Sequence, residues 1–102
     1  MSDRTVFKLY EFALVIVRNF DGRWLAVNET KHRGWWIPGG GVDAKETPAV
    51  AAHRETWEEA GIKIELKGIL RVDYQLMTGH EGRMRVIYYA EPINHFQVPK
   101  TH

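Results

Sequence analysis

The stretch from Thr47 to Gly61, "TPAVAAHRETWEEAG", carries its own start and stop signals, and it constrains the fold more than any other part of the chain. Thr47 is a good N-cap, Pro48 suits the first helical position, and a residue before proline avoids the α region. Gly61 supplies the C′ residue that ends a helix. Pro48 to Ala60 gives 13 residues, about 20 Å of helix. Val50, Trp57 and Ala60 form an apolar stripe on it, and Ala51 and Ala52 flank an acidic one. The rest reads as strands and turns. "FALVIVR" (Phe12 to Arg18) is nearly all apolar and β-branched, and "WLAVNE" (Trp24 to Glu29) follows it across the Asp21-Gly22 hairpin signal. Trp35 to Ile37 is a short strand stopped by Pro38 and three glycines, Gly39 to Gly41. Beyond the helix come "IKIEL", then "GILRVDYQLM" (Gly68 to Met77), a turn at "TGHEGR", and its hairpin partner "MRVIYYAE" (Met84 to Glu91). From Pro92 onward no periodicity is visible. With 102 residues, 44% of them apolar, the chain is predicted to be one domain, residues 1–102, with one real core.

Three carboxylates crowd the end of the helix. Glu55, Glu58 and Glu59 stand at i, i+3 and i+4, on one face. They repel one another, and the helix dipole disfavours negative charge at that end. A solvated acidic face is the commonest explanation, softened by Arg54 four residues before Glu58 in an exposed pair worth a few tenths of a kcal/mol. That reading accounts for none of the glycines, which let backbone come close to a ligand. Three close carboxylates in a partly buried site each raise the others' pKa unless a cation is present. Hard oxygen donors with no His or Cys in the cluster favour Mg²⁺ or Mn²⁺ over zinc or copper. Mg²⁺ held by a few carboxylates keeps positions for water and substrate phosphates, which suggests metal-assisted phosphoryl chemistry.

"GGVDAKETPAVAAHRETWEEAGI", Gly40 to Ile62, resembles the Nudix box, G-x5-E-x7-R-E-U-x-E-E-x-G-U with U a bulky aliphatic residue. Gly40, Glu46, Arg54, Glu55, Glu58, Glu59, Gly61 and Ile62 fall in register. Thr56 stands where U is expected; being β-branched and shaped like Val, it costs packing and no chemistry. "WWIPGG" before the box is similar to the family's usual lead-in. The resemblance implies an α+β Nudix fold, a mixed β-sheet sandwiched between helices, and hydrolysis of a diphosphate linked to some group X. It implies Glu55, Glu58 and Glu59 as metal ligands, with the Gly39 carbonyl as a further one, and a metal-bound water as nucleophile. Arg54 would hold the glutamates in position, and Glu46 would support the loop, a solvated turn residue being an equal reading for Glu46. The base is either the glutamate at Glu55 or a glutamate or histidine from a later loop. The family's final strand and C-terminal helix have no counterpart after Lys100. The chain is therefore expected to be a C-terminally incomplete domain or to cover the gap as a homodimer.

Charge narrows the partners. Fourteen basic against 13 acidic residues leave a net charge of +1, which argues against general nucleic-acid binding and leaves any anion to be met locally. Lys31, His32 and Arg33, and again His80, Arg83 and Arg85, are candidate phosphate contacts, with Arg33, Gly39, Gly40 and Arg83 the expected substrate-binding set. Exposed turn charge is the commoner reading of both basic groups. Among Trp24, Trp35, Trp36, Tyr74, Tyr88 and Tyr89, one or two are expected to stack on a base and the rest to be core. Gly41 gives the turn a third glycine, similar to the branch acting on diphosphoinositol and diadenosine polyphosphates. With no cysteine, no signal-like apolar run and no membrane-length segment, the reading is of a soluble, cytoplasmic protein. Two functions follow. One is a Mg²⁺-dependent pyrophosphohydrolase acting on a small diphosphate substrate. The other is a non-catalytic Nudix-fold module sensing a nucleotide or a protein, against which the full set of box carboxylates argues.

Overall fold

The computed structural model describes residues 6–29 and 34–99. In chain order the elements are β1 (Lys8–Val17), β2 (Val27–Glu29), β3 (Gly34–Trp36), β4 (Gly39–Gly41), α1 (Pro48–Ala60), β5 (Ile64–Leu76) and β6 (Glu81–Pro92). Four strands form one sheet in the order β4-β1-β6-β5, and β2 and β3 form a second, two-stranded one. β1 runs parallel to β6, whereas β1 with β4 and β5 with β6 are antiparallel, so the main sheet is mixed.

Strand period two decides what each face of the sheet meets. Ala13, Val15 and Val17 are buried together with Val86, Tyr88 and Ala90 of β6, and α1 packs on that face. Phe12, Leu14 and Ile16 point the other way and are half-buried. The sheet is mixed and the fold α+β, as expected, and the described residues contain one helix.

α1 begins and ends where its signals say. Thr47 Oγ1 accepts from the Val50 N–H at 3.2 Å, and Gly61, left-handed at φ 66°, donates its N–H to the Trp57 carbonyl. Its buried face differs from the expected stripe. Ala51, Ala52, Thr56 and Ala60 are buried, while Val50 and Trp57 stay 52% and 47% exposed. Only small side chains let the helix axis come down onto β1 and β4, so the two large ones turn outward. Thr56 is fully buried and its hydroxyl donates to the Ala52 carbonyl at 2.8 Å, which satisfies the one polar group that replaces an aliphatic residue there.

The strand pairing also departs from expectation. Asn19 to Arg23 makes the tight turn, with the Gly22 N–H donating to the Asn19 carbonyl at 2.9 Å. The ladder beyond it reaches only the Arg18–Trp24 bridge, and Val27 to Glu29 pair with Gly34 to Trp36 instead. β1 has two edges, and β6 and β4 already occupy both. "IKIEL" and "GILRVDYQLM" fuse into the single strand β5, kept continuous by irregularities at Leu66/Gly68 and Ile69/Arg71. The glycines expected only as a turn are themselves a strand, β4.

Candidate active site

The glycine strand is what brings helix and sheet within reach of each other. Gly39, Gly40 and Gly41 pair with Leu14, Ala13 and Phe12 of β1. A side chain on Gly39 would start 2.5 Å from the Ala13 carbonyl oxygen, and one on Gly40 would start 2.6 Å from Glu55 Oε1. Neither distance is tolerable for a carbon. Around Gly41 there is open space. Because the strand has no side chains, α1 lays its carboxylates directly on it: Glu59 Oε1 accepts the Gly39 N–H at 2.9 Å, and Glu55 lies against Gly40.

Arg54 gathers the remaining charge. Its guanidinium holds Glu46 with two bonds, Nε to Oε2 at 2.7 Å and Nη2 to Oε1 at 3.0 Å. It also donates to Glu55 Oε1 at 3.0 Å, Glu58 Oε2 at 3.3 Å and the Gly41 carbonyl at 3.1 Å. Asp43 is 3.5 Å away, and its own N–H donates to Glu46 Oε1 at 2.9 Å. The two-pronged bond from Arg54 holds the Glu46 carboxyl below the usual range, and that same bond raises Arg54, which stays charged at any working pH. Crowding three glutamates on one turn is thus relieved first by a cation the chain supplies itself.

Among the described residues no three His, Cys, Asp or Glu side chains gather round one point in the way an ion requires. Glu55 and Glu58 turn to Arg54, and Glu59 to the Gly39 N–H. The donor chemistry nevertheless fits a hard divalent cation: all are carboxylate oxygens, and Glu55 and Glu59, both half-buried, are fixed on the same three-residue strand.

On the far side of the sheet from α1, the glycine strand walls a cleft of about 260 Å³ lined by Phe12, Leu14, Trp36, Gly39, Gly40, Gly41, Arg83 and Arg85. Arg83, an expected substrate contact, donates to Gln75 Oε1 at 2.9 Å, a neutral acceptor that leaves its charge uncompensated by that bond. Arg85 is bound to Asp73 at 2.8 Å and is to that extent neutralised. Asp73 is held below the usual carboxylate range by Arg85 first and Arg71 second. Of the six candidate stacking aromatics, Trp36 alone lines this cleft. Tyr88 is core, and Trp24, Trp35 and Tyr74 are exposed elsewhere. Arg33, with Lys31 and His32, lies outside the described residues. The three glutamates line neither this cleft nor two other cavities, of about 410 and 510 Å³, and those two also lack the glycine strand that walls this one. Phe12 and Leu14 are cleft residues that sequence reasoning missed. The signal was there in the alternation of β1, since residues flanking the buried Ala13 must face the other side.

The NUDIX domain family matches residues 10–100. A MutT-like protein of Streptomyces ambofaciens is 44% identical over 78 residues, 76% of this chain and 48% of that protein. Diphosphoinositol polyphosphate phosphohydrolase 2 of Rattus norvegicus is 38% identical over 90 residues, 87% of this chain and 50% of that enzyme. The chain therefore spans about half the length of these curated relatives. Among solved structures, a MutT NUDIX hydrolase from Burkholderia pseudomallei superposes with a TM-score of 0.68 at 26% identity, over 92% of this chain and 74% of that one. With nearly the whole length matched and the box carboxylates set against the glycine strand, this chain belongs to the NUDIX family.

Proposed function

We propose that the chain hydrolyses the diphosphate bond of a nucleoside diphosphate linked to X, or of a related polyphosphate, with Mg²⁺ or Mn²⁺ as its metal. The observation that carries this is the position of β4. One face of the glycine strand holds the Glu55 and Glu59 carboxylates, and the same strand walls a cleft that contains Arg83. β4 is the edge strand of the main sheet, so a diphosphate passing round it from the cleft would reach the carboxylates on its other face with no glycine side chain in the way.

The contacts support the following roles. Glu55, Glu58 and Glu59, with the Gly39 carbonyl, would hold the metal. Bound there, the metal supplies charge stabilisation and lowers the pKa of a coordinated water. Arg54, clamped by Glu46, restrains Glu55 and Glu58. Arg83 and, outside the described residues, Arg33 would take phosphate oxygens, and Trp36 offers a flat wall. Glu55, or a group beyond these residues, takes the proton of the attacking water. The relative named as a diphosphoinositol polyphosphate phosphohydrolase suits a diphosphate-bearing substrate.

Phosphate release from a panel of diphosphate compounds, with and without Mg²⁺, tests the proposal. Glu58→Gln and Glu59→Gln keep shape and remove ligand charge, so turnover is expected to drop by about 10² or more. Equal turnover in parent and variants at saturating substrate would overturn the metal roles. Binding of a nucleotide with no metal-dependent turnover on any compound would favour the sensing module.

A further inference from the structure

The β5–β6 hairpin is longer than α1 can cover. Thirteen residues of strand run to about 43 Å, against about 20 Å for the helix. Burial along β5 accordingly fades: Ile64 is buried and Leu66 half-buried, and from Ile69 onward the apolar side chains are exposed. Four of those side chains, Ile69, Val72, Tyr74 and Leu76, still face the core side of the sheet. Ile69 pairs with Tyr88, Val72 with Val86, Tyr74 with Met84 and Leu76 with Gly82, and cross-strand partners share a face.

The result is a largely apolar surface, with Glu11, half-buried on the same face between Leu9 and Ala13, at its inner edge. Ile69, Val72, Tyr74 and Leu76 are 59%, 52%, 56% and 71% exposed, and Phe7, just before β1, and Leu9, within it, extend the patch at 42% and 37%. Phe7 is stacked on Tyr74 with ring centroids 6.5 Å apart and lies over Gly82. Together these side chains expose on the order of 600 Å², the upper end of what a monomer leaves in water. The reverse face of the same stretch is polar, with Arg71 and Arg85 bound to Asp73 and Arg83 bound to Gln75. The hairpin is amphipathic, and its apolar side lacks a partner among the described residues.

We propose that a second copy of this chain covers it, the two patches meeting face to face about a two-fold axis. None of the six side chains is charged and the neighbouring Glu11 is an anion, so an anionic surface finds no cation on the patch, and a largely uncharged, equally twisted face fits it best. The same face of another copy meets that requirement by symmetry. Two such patches brought together bury on the order of 1,200 Å², the low end for a stable interface, with the sheets about 10 Å apart. The proposal is independent of the chemistry at the glutamates.

Sedimentation velocity of the chain from about 1 to 100 µM is expected to show a monomer–dimer equilibrium in the micromolar range. Val72→Glu with Leu76→Glu, checked for folding by circular dichroism, should leave only monomer. A gentler measurement uses the absence of cysteine: Tyr74→Cys should be crosslinked to itself by a bis-maleimide of about 10 Å span, and Arg71→Cys, on the reverse face, should not. A monomer at every concentration, a dimer that survives both glutamates, or equal crosslinking at the two positions overturns the proposal. So does a monomer that cosediments with phosphatidylcholine vesicles, which would give the patch to a membrane.

Discussion

Arg54 has to satisfy two demands that pull apart. It must relieve a trio of carboxylates on its own helix, and it must leave those carboxylates able to hold a metal. Its geometry meets both by giving the strongest contact to neither: the paired bonds go to Glu46, and Glu55 and Glu58 receive one each. Gly39 is constrained by a different force. Its φ is 157°, and an added carbon would meet the backbone of β1, which cannot swing aside. Gly39→Ala is therefore expected to cost about 2 kcal/mol or more, the range for strain at a special backbone position. Gly41→Ala, with nothing within 4 Å of the added carbon, should stay within about 1 kcal/mol. Urea unfolding midpoints decide it, and equal losses at the two glycines would show that the close approach at Gly39 does not limit stability. The sequence made the glutamates visible through their spacing and the glycines through their run. It could not show which glycine is sterically required, because that depends on Leu14 and Ala13, which pair with the glycine strand from far earlier in the chain.

At the scale of elements, α1 was readable to the residue because its caps are local chemistry, bonds made within three or four positions. Strand partners were harder to read. The turn at Asn19 to Arg23 is a good local signal, yet the strand it delivers pairs with β3, because the competition for the edges of β1 is settled by β4 and β6 from farther along the chain. The outward turn of Val50 and Trp57 has the same origin. Helical periodicity reports which residues share a face, and only the glycine strand beneath decides that the face must be made of alanine and threonine. β5 and β6 are joined across their polar face by Asp73, which takes Arg85 at 2.8 Å. Since the folded pKa of Asp73 lies below its ordinary value, that contribution is present above about pH 4 and is lost as pH falls through the lowered value. Asp73→Asn is expected to flatten the decline of melting temperature between about pH 5 and 3, while leaving the alkaline side unchanged. An unaltered acid limb would mean that the pair contributes nothing on an exposed strand.

Over its 102 residues the chain is nearly neutral, yet it gathers Asp43, Glu46, Glu55 and Glu58 around Arg54, and a cation bound at the glutamates should stabilise the fold in proportion to its occupancy. Metal at 100 times its dissociation constant contributes about 2.7 kcal/mol, and in a domain of this size each kcal/mol moves the melting temperature by about 4–8 °C. Millimolar Mn²⁺ binding at the ten-micromolar level is thus expected to raise it by about 10 °C or more. Glu58→Gln with Glu59→Gln separates the cation from mere relief of repulsion. In the metal-free state Arg54 already offsets part of the repulsion, and the amide oxygen that Glu59→Gln introduces can still accept the Gly39 N–H that Glu59 accepts at 2.9 Å. The double variant should therefore melt within a few degrees of the parent without metal, on the order of the ±0.5 kcal/mol of surface changes. Its response to Mn²⁺ should disappear. If metal leaves the parent unchanged and the double variant melts well above it in both conditions, the carboxylates are a solvated face held in check by Arg54, and the metal assignment at Glu55, Glu58 and Glu59 fails with it.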